Sequence, residues 1–167
     1  VYWINPENVI DDWHFRVAKE NRDNIMLSEP VRAVFGYLDL YDATGENKYM
    51  EAALRAARTY LKIRREDGTW PLVVNRHTGE ELKSKPVIPT WVLFFFERLH
   101  KQYGLTEFAE AAEQIASWIL EHPAEGFHWD SQFEDVKIKE PYRKMAYEQA
   151  ADTAYYLLSN YPDDADK

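Results

Sequence analysis

The chain has 167 residues, enough for one domain with a real core, and 46% of them are hydrophobic, which argues against a disordered chain. A formal net charge of −9 argues against a nucleic-acid or anionic-membrane partner, since both demand a basic footprint. With no Cys there is no disulfide framework and no thiolate metal site, and no apolar run approaches the roughly 20 residues of a membrane span. No secretory signal is visible and the compartment stays open: cytoplasm, periplasm and secretion all fit. The chain opens on Val1 rather than Met, so a start further upstream is expected.

In chain order, the first marked stretch is "DDWHFR", residues 11–16, a loop around Trp13. A helix is expected from Pro30, where Val31, Val34, Phe35 and Leu38 recur at helical spacing. Gly45 stops it. A second helix carries Tyr49, Ala52, Ala53, Ala56, Ala57, Tyr60 and Leu61, whose small residues let a neighbour come close. "TWPLVVNRHTGEELKS" then reads as a β-hairpin near 70–80, turned at His77, Thr78 and Gly79. Two more helices follow in "PTWVLFFFERLHKQYG" and "TEFAEAAEQIASWILEH", with Trp91, Phe94, Phe95 and Phe96 on the first of them. The loop "PAEGFHWDSQFEDVKIKE" has no helical period, and a last helix starts near Pro141.

These elements repeat. Shifting residues 30–70 by 59 places them on 89–129 without a gap. Pro30, Phe35, Leu40, Gly45, Glu51, Ala52, Ala53, Ala57, Leu61, Glu66 and Trp70 meet their identical residues at Pro89, Phe94, Leu99, Gly104, Glu110, Ala111, Ala112, Ala116, Leu120, Glu125 and Trp129. Average usage would give roughly two or three such matches. A third copy, from about 141, brings Leu158 to the position of Leu40 and Leu99. The expected organisation is one all-α domain over 1–167, with hairpins about 29–64 and 88–122 and a partial third from about 141.

Serial helical hairpins with aromatic-rich loops at one end resemble the (α/α) toroid. The segment "YDATGENKYMEAALRAARTYLKIRREDGTWP" is similar to the hairpins of six-hairpin glycosidases and related polysaccharide lyases. A closed toroid needs about six hairpins. The resemblance therefore implies a partial toroid, whose open flanks the remainder of a longer chain or a homo-oligomer would cover. It also implies a carbohydrate-active protein, foremost a glycoside hydrolase. A polysaccharide lyase and a non-catalytic binding or scaffold module are the alternatives. The toroid of the terpene cyclases fits less well: "RREDGTW" has Arg64 where that family's repeat has Gln, and no DxDD acid motif is present.

Sugar chemistry needs carboxylates facing each other across a groove and rings that stack on pyranose faces. "FHWDSQFEDV", residues 127–136, is the richest stretch, and an extended backbone would turn Asp130, Gln132 and Glu134 to one side. The catalytic candidates are Asp12, Asp130, Glu134 and Asp135. The ligand-binding candidates are Trp13, His14, Trp70, His128, Trp129, Gln132 and Arg143. The competing account makes both acidic stretches solvated loops and makes the repeated Trp70 and Trp129 braces between hairpins. No metal or cofactor is called for: none of the five His stands in a zinc-binding spacing, and phosphate-binding Gly loops are absent. The expected ligand is a carbohydrate.

Overall fold

The computed structural model describes residues 4–9, 15–17, 23–28, 30–126, 129 and 148–162. Its helices are α1 (Pro30–Thr44), α2 (Asn47–Ile63), α3 (Thr90–Tyr103), α4 (Ala109–Ile119) and α5 (Glu148–Asn160). A 3-10 turn over Thr106–Phe108 leads into α4, and a π-helical turn over Leu120–Glu125 extends it. Pro123 lies inside that turn and has no N–H to give. The Gly126 N–H bonds instead to the Glu121 carbonyl five residues back, at 3.2 Å.

The helices pair as the sequence periodicity requires. Gly104 ends α3 at φ 71, a left-handed conformation that costs glycine little. Its N–H bonds to the His100 carbonyl and that of Leu105 to the Leu99 carbonyl, satisfying the helix's last acceptors. Gly45 does the same for α1, with φ 69 and a 2.7 Å bond to Tyr41 O.

The hairpins stack in parallel, as their contacts show. Along α1 and α3, Phe35 meets Trp91 and Phe95, while Arg98 bridges Asp39 and Asp42, each at 2.8 Å. Further on, Tyr41 meets Tyr103. Along α3 and α5, Thr90 meets Thr153 and Phe94 meets Tyr156. The second helices follow the same order: Arg58 bridges Glu107 at 3.0 Å, and Gln114 donates to the Glu66 carbonyl at 3.1 Å. Thus α1, α3 and α5 form one layer and α2 and α4 a second. Between them lies a core that includes Leu38, Ala53, Ala57, Phe96, Leu99, Phe108, Ile115 and Ile119, all without exposed surface.

The β-hairpin after α2 is present as β4 (Pro71–Asn75) and β5 (Glu81–Pro86), with Gly79 at φ 74 in its turn. It is not alone. Strand β3 (Asn24–Met26) pairs antiparallel with β4 and makes a three-stranded sheet with β4 in the middle, and β1 (Ile4–Val9) pairs with β2 (Phe15–Val17) in a second, two-stranded sheet. The central position explains why Leu72, Val73 and Val74 are consecutive and all buried. Tyr60 on α2 ties this sheet to the helices through a 2.5 Å hydrogen bond to Leu27 O.

Candidate functional site

Trp70 and Trp129, the residues that close the two copies, lie at the same end of the helical layers. The Trp70 carbonyl accepts from Val87 N at 3.0 Å, and Trp129 packs with the next residue, Ile88, and with Ala150 of α5. This is also the end at which α3 and α5 begin.

Trp70 itself is corrected from the ligand-binding set. It has no exposed surface; its indole N–H donates to Tyr60 O at 2.8 Å, and its ring meets Tyr60 and Phe96 edge-on. It braces the first hairpin, the sheet and α3, and a ring so enclosed offers no face to a sugar. Trp129 is likewise buried, at 4% exposure, so it braces this end of the molecule instead of presenting a stacking surface. Asp12, Trp13, His14, His128, Asp130, Gln132, Glu134, Asp135 and Arg143 lie outside the described residues.

The described residues at this end carry a constellation that sequence reasoning did not select: Arg32 on α1, Trp91 on α3, and Gln149 and Asp152 on α5. The Arg32 guanidinium lies over the Trp91 ring, 5.2 Å from its centroid. Phe35 and Phe94 hold the same ring edge-on at 5.5 and 6.1 Å. The partly buried Asp152 carboxyl is raised above its ordinary value by burial. The Trp91 N–H and the positive charge of Arg32 oppose the rise. Trp91 Nε1 and Asp152 Oδ2 are each buried, and the indole N–H lies close enough to the carboxylate to stabilise its charged form, although the contact falls short of strict hydrogen-bond geometry.

Gln149, 4% exposed and three residues before Asp152 on the same helix face, has a buried atom without a partner, Oε1. Leaving a buried amide oxygen such as Gln149 Oε1 unpaired costs about 1–3 kcal/mol and marks a place where water or a ligand is wanted. Beside them Thr90 and Thr153, both fully buried, share a 2.6 Å hydroxyl bond that fixes the spacing of α3 and α5.

A signal for Asp152 was present in the repeat. A shift of 59 aligns it with Leu93, and a second shift with Val34; both are core residues, 0% and 2% exposed. A carboxylate at a core position of a repeat has no packing reason to be there. Arg32 and Trp91 share one repeat position, the second after Pro30 and Pro89.

No group of three or more His, Asp or Glu among the described residues is arranged to hold a metal ion, and no described helix is long and apolar enough to cross a membrane. No protein-family model matches the chain, nor does any curated protein or solved structure.

Proposed function

We propose that the chain is part of an (α/α)-toroid carbohydrate-active protein, a glycoside hydrolase that uses carboxylates as acid and base on a polysaccharide or oligosaccharide. The observation that carries the reading is Asp152: a partly buried carboxyl, raised by desolvation, facing the Trp91 indole N–H and three residues after the buried, unpartnered Gln149 Oε1. A glycosidic oxygen leaves only when protonated, and a carboxylic acid serves if its environment keeps the proton on it near working pH. Burial pushes Asp152 in that direction. Arg32 tempers the shift and offers a donor for sugar hydroxyls.

The partner carboxylate in this reading comes from Asp130, Glu134 or Asp135, in the loop that follows Trp129, or from Asp12. Its distance from Asp152 sets the stereochemistry: roughly 5–5.5 Å gives retention and roughly 6.5–9.5 Å gives inversion.

Turnover of a panel of plant, bacterial and host glycans by the 167-residue chain tests the proposal. Asp152→Asn is expected to reduce turnover by about 10²- to 10⁴-fold without changing the fold, which far-ultraviolet circular dichroism checks. Glu134→Gln and Asp130→Asn identify the second carboxylate. Undiminished turnover in Asp152→Asn refutes its role as the acid, and a panel that is neither cleaved nor bound refutes the carbohydrate reading.

A further inference from the structure

A cavity opens away from Trp70 and Trp129, toward the end of the layers where α3 and α5 finish. Its volume is about 360 Å³, within the range of small-ligand pockets. The end of α3, one face of α4, and Tyr156 and Tyr161 wall it.

The repeat shows how this cavity arises. Glu97, His100, Ala109 and Glu113 of its lining stand where the first copy has Leu38, Tyr41, Met50 and Leu54. In the first copy Leu38 has no exposed surface, and Met50 and Leu54 pack against the core. Ala112 and Ala116 keep the small residues of Ala53 and Ala57. The second copy therefore exchanges two leucines for carboxylates and a methionine for a methyl group. A wall built only to receive another helix has no reason to do so, since covering a carboxylate with apolar side chains costs its hydration. Removing the Met side chain makes room, and the polar groups around that room suit a polar occupant.

The lining sets donors beside acceptors. Lys101 Nζ lies 2.8 Å from Glu97 Oε1, and Glu113 adds a second carboxylate. His100 Nδ1 is buried with no hydrogen-bond partner. A cation entering here meets Lys101, and an anion meets the two glutamates. A neutral molecule with several hydroxyls satisfies both kinds of group, and the two tyrosines offer ring surface to its C–H faces. From this lining we infer that the cavity is a second saccharide-binding site, about one or two pyranose rings in size and remote from Asp152. The ligand belongs to the class proposed for the Asp152 end, but the inference rests on the cavity alone.

The test is heteronuclear NMR of the isotopically labelled 167-residue chain, titrated with xylobiose, cellobiose and N,N′-diacetylchitobiose, and with propylamine and acetate as ionic comparators. Saturable shifts of the His100 ring and the Ala112 and Ala116 methyls are expected with at least one disaccharide and with neither ion. Ala109→Met with Glu113→Leu restores the first-copy residues, fills the cavity and should abolish those shifts; circular dichroism checks that the fold is kept. Glu113→Gln preserves the shape and should weaken binding about fivefold by removing a charged acceptor. Asp152→Asn should leave the shifts unchanged. Absence of saturable shifts at these three residues overturns the inference, as does binding that survives Ala109→Met with Glu113→Leu, or saturation by propylamine or acetate alone. Disaccharide shifts confined to Trp91 and lost in Asp152→Asn would also overturn it while supporting the role proposed for Asp152. Cavity binding without any turnover would do the reverse.

Discussion

Replacing Trp70 by Ala distinguishes a brace from a ligand platform by its cost. The ring is fully buried, its N–H is bonded to Tyr60 O at 2.8 Å, and it touches residues from α2 and α3. Truncating a buried Trp costs about 3–5 kcal/mol through lost transfer energy and the cavity left behind. Tyr60 and Phe96 belong to separate helices and have little freedom to close the gap, which favours the upper half of that range.

In a chain of this size each kcal/mol moves Tm by about 2–4 °C, so a loss near 4 kcal/mol lowers Tm by about 8–16 °C. Trp70→Phe removes the N–H donor and part of the ring, and should cost less than Trp70→Ala because one aromatic ring stays in place. Urea unfolding followed by circular dichroism at 222 nm reads both, free of interference from the other five Trp. Leu82→Ala, at a 45% exposed position, is the reference and should stay within about 1 kcal/mol. A Trp70→Ala cost no larger than that of Leu82→Ala refutes the bracing role.

Asp152 has its carboxyl raised in the folded state, so folding favours the protonated form. Its contribution is favourable at acid pH and is lost as pH rises through the unfolded and then the folded value. Asp152→Asn should therefore remove a downward slope of stability with rising pH, seen as a difference between urea midpoints measured across the carboxylate range; parallel profiles would refute the shift. Asp42 and Glu81 are lowered, chiefly by their bonds to Tyr103 and Arg65, and work in the opposite direction, so Asp42→Asn should make the chain less sensitive to acid. Leu99→Ala should cost about 2–5 kcal/mol, while Leu40→Ala and Leu158→Ala cost about 1 kcal/mol or less, and equal costs would contradict the difference in cover. Gly68 sits at φ 83 with the side chain of Gln114 only 3.0 Å from where a Cβ would stand; Gly68→Ala should destabilise by about 1–2 kcal/mol, and a neutral result would show that the turn relaxes.

Local features were legible because their causes are local. The 3.6-residue period placed the four helices of the two full copies, Gly45 and Gly104 marked the ends of α1 and α3, and the alternation around His77-Thr78-Gly79 announced β4 and β5. The repeat likewise announced that the second hairpin follows the first. One boundary shifted and one strand was missed, each for a physical reason: Pro123 turns the end of the fourth helix into a π-helical turn, and β3 is only three residues long, too short for a periodic signal.

Burial, in contrast, depends on residues far away in the chain. The sequence by itself determined the helices, their turns and their order, through backbone preferences and apolar periodicity acting within a few residues. Only the tertiary structure decided that Trp70 and Trp129 face inward, that Leu99 is covered while Leu40 and Leu158 are not, and that Asp152 shares its surroundings with Arg32 and Trp91. The physical reason is that a side chain's solvation and the fields acting on it come from whichever helices lie beside it, and those partners belong to other elements of the chain, as Phe96 does for Trp70 and Arg32 for Trp91.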